Sequence, residues 1–219
     1  MKKIYFLILA LLLANSVIAQ NINFGFKGGF NISTQNFDPN NAFPSSLYTG
    51  FLVGFHAGAF INLEYQSFTI QPGLFYTTKG VIIHQQSASD GIFDYNVAES
   101  NNKFEYIEVA MNLLYHIPID KDMVFKLGGG PYLAQGTSIS ISTLTDSQQI
   151  SFDAPQAPIN SFKSLDYGIN FLGEMQLFKR ATIGLQYGFG LKNISNNTLF
   201  PSDHIKNSVI SITFGVLLL

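Results

Sequence analysis

From Ile22 to Ile32 the chain alternates without interruption, with Ile22, Phe24, Phe26, Gly28, Phe30 and Ile32 in one row and Asn23, Gly25, Lys27, Gly29 and Asn31 in the other. Successive side chains of an extended strand point to opposite faces, so a period of two predicts a β-strand with one apolar and one polar face. The alternation returns along seven further stretches: Phe51 to Leu63, Phe68 to Lys79, Tyr106 to Tyr115, Phe125 to Leu133, Leu165 to Met175, Thr182 to Leu191 and Ile210 to Leu218. Strands of this length can each cross a bilayer at a tilt.

The connections alternate in kind. Thr34 to Thr49, Gly80 to Lys103, Thr137 to Ser164 and Asn193 to Ile205 are long and polar, whereas Glu64-Tyr65-Gln66, Pro118 to Asp122 and Phe178-Lys179-Arg180 are tight. Long outer loops and short periplasmic turns are the habit of transmembrane barrels. The pattern predicts an all-β fold, an eight-stranded antiparallel up-and-down transmembrane β-barrel with both termini on the periplasmic side.

Composition sharpens this. Charged residues make up 12% of the chain, about half the usual share of a soluble domain, yet no uninterrupted apolar run of helix-spanning length follows the N-terminus. A barrel reconciles the two facts, because its lipid face is apolar only at every second residue. The start itself, Met1-Lys2-Lys3 followed by the apolar run Ile4 to Leu13 and then Ala14 to Ala19, reads as a signal peptide cleaved after Ala19. Residues 1–19 are thus expected to be removed and 20–219 to form one barrel domain. With no cysteine there is no disulfide framework and no thiolate site, and a net charge of −2 without a basic run removes the footprint of a nucleic-acid binder.

Period alone does not say which row faces inward, and a soluble lipocalin-like barrel would bury the apolar one. The polar row argues against that: it is mostly Gly, Asn, Gln, Thr and Ser, too poor in charge for a solvated surface and suited to a narrow, filled lumen. Lys27, Lys79, Lys126, Glu108, Asp166 and Glu174 all fall on it. Buried charges need partners, so Lys27, Lys126, Glu108 and Glu174 are expected to form a structural lumen network. Tyr48, Tyr76, Tyr115, Tyr167 and Tyr187 sit towards strand ends or on the lipid row, where tyrosines anchor at the interface.

Other candidates are weaker. Gly128-Gly129-Gly130-Pro131 lacks the following Lys-Ser or Lys-Thr of a phosphate loop and reads as a strand bend or bulge. Pro72 and Pro131 each remove a ladder donor. His56, His84, His116 and His204 have no ligand spacing, so neither a metal nor a cofactor is expected. A base beside a hydroxyl is found only at the outer rim, as His84 with Asp90 and Ser87 or Ser89, or as Ser202-Asp203-His204.

Four stretches give the chain a resemblance to a known family: Tyr76-Thr77-Thr78-Lys79-Gly80, Tyr106-Ile107-Glu108-Val109, Gly130-Pro131-Tyr132-Leu133 and Leu185 to Ile194. In order and spacing they resemble the landmarks of the PorT-like outer-membrane β-barrel family, over essentially all of 20–219. The family usually has Pro where this chain has Ala110, and usually ends in an aromatic residue where this chain ends in Leu219. The resemblance implies an outer-membrane barrel but neither a reaction nor a substrate. The resulting expectation is a non-enzymatic structural or interaction component of the envelope, contacting outer-membrane lipid and, through its outer loops, other envelope or secretion proteins. The alternatives are an accessory role in secretion or transport and a lipid-modifying enzyme acting from the rim.

Overall fold

The alternating stretches are strands in the computed structural model, which describes residues 22–37, 47–86, 97–145, 148–152, 164–195 and 204–218. The expected signal peptide, 1–19, lies outside them. The strands are β1 (Ile22–Phe37), β2 (Leu47–Gly50), β3 (Leu52–Tyr65), β4 (Phe68–Gln86), β5 (Val97–Asp120), β6 (Met123–Thr145), β7 (Gln148–Phe152), β8 (Leu165–Leu177), β9 (Ala181–Gly190) and β10 (Ile205–Leu218). Eight of them close a ring in the order β1-β3-β4-β5-β6-β8-β9-β10 and back to β1, each antiparallel to its neighbours. Closure leaves no open sheet edge at membrane depth, as a strand-built span requires.

The apolar row faces out. Phe30 and its ladder partner Ile212 are 63% and 41% exposed, while the next pair along the same strands, Asn31 and Ser211, is buried. A soluble barrel would show the reverse, so the exposed belt of Phe, Ile, Leu, Val and Tyr is the lipid surface. Its outer limit is marked where the outward positions turn polar: Thr34 and Asn36 follow Ile32, Glu105 and Lys103 lie beyond Ile107, and Ser208 and Lys206 lie beyond Ile210. Ile22 and Leu218 lie at the opposite end, with the tight turns.

Three sequence expectations change. The long polar connections are in part strand: β4 continues to Gln86, β5 begins at Val97 and β6 runs to Thr145, where β7 pairs back onto it. Backbone pairing does not need an apolar row, so alternation ends at the membrane boundary while the ladder goes on. Glu64 belongs to β3 rather than to a turn, and the first turn is Gln66-Ser67. The triple glycine is not a bulge, since the β5–β6 register is the same on both sides of it. A Cβ at Gly128 would fall on the carbonyl of Leu113, so glycine is required there by close backbone approach.

Both prolines sit beside gaps in one ladder and keep the other. Pro72 pairs with Met111 of β5, but β3 and β4 show no partners between Phe60/Gly73 and Leu63/Ile70, and Gln71 Nε2 donates to Asn62 Oδ1 at 2.8 Å across that gap. Pro131 likewise pairs with Ile169 of β8 opposite a break in the β5–β6 ladder. The missing N–H groups therefore face places where no ladder bond is made.

Candidate functional site

The inward row carries charge at two levels. Near the turns, Lys27 from β1 and Glu174 from β8 form an ion pair across the lumen, and Lys27 Nζ also donates to Gln71 Oε1 at 2.9 Å and lies 4.4 Å from the centre of the Phe60 ring. Lys126, the ladder partner of Glu174, bonds to Glu64 at 2.9 Å. Towards the outer end, Lys79 is 2.9 Å from Glu108 and 3.3 Å from Asp166. Its ammonium lies over Tyr132, 4.1 Å from the ring centre, and Asp166 Oδ2 accepts from Tyr132 Oη at 3.3 Å and Asn207 Nδ2 at 3.0 Å.

Between the levels Asn31 acts as a hub. Its amide donates to Thr77 Oγ1, the Thr78 carbonyl and the Phe55 carbonyl, while its oxygen accepts from Ser211 Oγ at 2.8 Å and from His56 Nδ1 at 2.8 Å. Because Asn31 Oδ1 only accepts, the His56 proton sits on Nδ1, leaving Nε2 to accept from Thr213 Oγ1 at 3.1 Å.

Of the four residues expected to form one network, only Lys27 and Glu174 are joined directly. Lys126 takes Glu64 and Glu108 takes Lys79. Row parity gives the face of each charge but not its height, and pairing depends on height. Sequence reasoning missed Glu64, Phe60 and Asn207, and weighed His56 only as a metal ligand. Glu64 was hidden by its nearness to a turn, although it lies two residues from Asn62 and so shares its row.

The resemblance stretches meet in space. Lys79, Tyr106, Glu108 and Tyr132, from three separate stretches, build the outer charge level, and Gln186 and Gly188 of the fourth face the cavity beneath it. At the rim, His84 lies 3.7 Å from Glu99, its ladder partner on β5, and both are partly exposed. Ser87, Ser89, Asp90, Ser202 and Asp203 lie outside the described residues. His116 bonds to Thr69 near the turns and His204 is exposed at the outer end. Among the described residues no three His, Cys, Asp or Glu side chains gather where they could hold a metal ion.

An apolar belt outside and hydrogen-bonded charge inside a closed ring define a β-barrel built to live in lipid. The chain belongs to the outer membrane protein beta-barrel domain family, whose model matches residues 18–196. It is an outer-membrane protein, embedded in the lipid of that membrane. No curated protein matches it in sequence. Among solved structures it is similar to the Neisserial surface protein A (10% identity over 90% of this chain and 99% of that one, TM-score 0.46). It is also similar to Ail, the attachment invasion locus protein of Yersinia pestis, solved with the heparin analogue sucrose octasulfate (10% identity, 90% and 99% covered, TM-score 0.43). A third is OprG of Pseudomonas aeruginosa (11% identity, 91% and 97% covered, TM-score 0.33). Likeness at this level carries no ligand, partner or activity across.

Proposed function

We propose that the protein is a non-enzymatic structural and interaction component of the outer membrane, working through a one-sided ridge at its outer rim. The observation that carries this is the unequal height of the strands: β5 has 24 residues and β6 has 23, whereas β9 has 10. From Lys103 back to Val97, β5 extends the paired sheet by about 20 Å at ~3.3 Å per residue, with β4, β6 and β7 beside it. An ordered platform beyond the membrane limits what an exposed partner surface loses in entropy on binding. The Lys103–Glu105 pair, 3.0 Å apart, gives its outward face a polar base.

A photo-reactive residue placed at Asn101, on the ridge, should capture a specific envelope or external protein in intact cells, and one at Ser208, on the low side, should not. Identical adducts from both positions would remove the ridge as the contact surface.

A PorT-like accessory role in secretion is the second reading. What supports it is the convergence of the resemblance residues Lys79, Tyr106, Glu108 and Tyr132 at one level of the lumen. The enzyme reading rests on the rim histidines alone, His84 beside Glu99 and the exposed His204. Unchanged outer-membrane lipid profiles in His84→Ala and His204→Ala cells are expected, and an altered profile would restore it.

A further inference from the structure

We propose that the lumen is a hydrated chamber held between two seals in series, passing water and small inorganic ions only when both seals are broken. The two charge levels do not touch. Between them lies a cavity of about 40 Å³ whose wall includes Lys27 from the inner level and Lys79 and Glu108 from the outer one. Two buried side chains that line it, Asn112 through Oδ1 and Asn170 through Nδ2, have no hydrogen-bond partner in the protein. One is an acceptor and the other a donor. Water satisfies both, and a space of this size holds about two or three molecules. An apolar filling would leave both amides buried and unpaired.

The seals differ in build. On the turn side the Lys27–Glu174 pair lies across the lumen, with Gln71 and Asn62 hydrogen-bonded beside it, and the Lys126–Glu64 pair joins β6 to β3 in the same level. On the loop side Lys79, Glu108 and Asp166 are paired, and beyond them in the same inward row come Val81 and Phe104, both buried, the latter stacked on Tyr106. The chamber is thus shut twice, by groups on opposite sides of it, and breaking either seal opens the chamber to one side only.

The absence of native cysteine makes a single introduced thiol an unambiguous reporter. Ser211 is buried and lines the chamber, and Ser211→Cys changes little volume. The probe is the silver ion, added to one or the other face of oriented proteoliposomes, with blocking read as loss of later alkylation after denaturation. Ser211→Cys alone should stay alkylatable after exposure on either face. With Lys27→Ala, Glu174→Ala, Lys126→Ala and Glu64→Ala added, silver from the turn side should block the thiol and silver from the loop side should not. With Lys79→Ala, Glu108→Ala and Phe104→Ala added instead, the sidedness should reverse. Blocking of Ser211→Cys with both seals intact would overturn the proposal, and this variant needs no seal mutation to fold. So would blocking from the wrong side, or no gain of access in a seal variant that keeps its heat-modifiable folded form.

Discussion

At the scale of single residues the lumen charges are unequally insured. Removing Glu174 leaves the Lys27 ammonium with Gln71 as its remaining hydrogen-bond acceptor, whereas removing Glu108 leaves Lys79 with Asp166. Breaking a buried pair costs about 3–5 kcal/mol when it strands a charge. Glu174→Ala should therefore lower the urea midpoint in detergent by the larger amount, Glu108→Ala by less, and Glu99→Ala, from a partly exposed pair with His84, by an amount near zero. Equal shifts for Glu174 and Glu108 would mean that the second carboxylate does not compensate. The inward position of all these residues was legible from parity, because moving any of them outward would turn its strand's apolar row into the lumen. Their partners were not legible, because a partner depends on the ring order and stagger of strands that a linear pattern does not contain. Lys126 shows this well: its bond to Glu64 joins β6 to β3, which are not neighbours in the ring.

At the scale of elements, strand cores were readable and strand ends were not. Within the membrane two solvents, lipid outside and a packed polar interior, enforce alternation, and all eight cores are where the alternation puts them. Beyond the membrane the ladder between β4 and β5 runs on from Gly80/Lys103 to Gln86/Val97, where Val81-Ile82-Ile83 is apolar without alternating and Lys103 to Glu99 is polar. Turn chemistry gives a second test. Phe178 and Lys179 both have left-handed backbones, φ 50° and 61°, between Leu177 and Arg180, whose N–H closes the turn at 3.1 Å. Two such residues in succession define a type I′ hairpin turn, which favours Asn-Gly. Lys179→Gly should raise the unfolding midpoint, a gain of roughly 0.5–1 kcal/mol from relief of side-chain crowding at positive φ. Gly128→Ala should do the opposite and strongly, because its Cβ meets the Leu113 backbone, while Gly28→Ala, whose nearest neighbour is 3.4 Å away, should be tolerated. Loss of heat-modifiable mobility in the first and its retention in the second is the expected gel result.

At the scale of the whole molecule, a chain with only 12% charged residues and eight strands that alternate apolar and polar finds one physical explanation. Lipid wets the outer belt, and among the described residues the charges lie in the lumen, in the turns and at the rim. The most direct measurement of this inside-out arrangement is a spin-label scan along β10, one cysteine at a time in a chain that has none, in lipid bilayers. Labels at Ile210, Ile212, Phe214 and Val216 should collide freely with oxygen, which dissolves in lipid, and those at Ser211 and Thr213 should be shielded from both oxygen and a water-soluble nickel complex. A period-two oscillation in that phase is the predicted result. The opposite phase, with the nickel complex reaching Ser211 and Thr213 while the apolar row is shielded, would contradict the account, since it would describe a soluble barrel with an apolar interior.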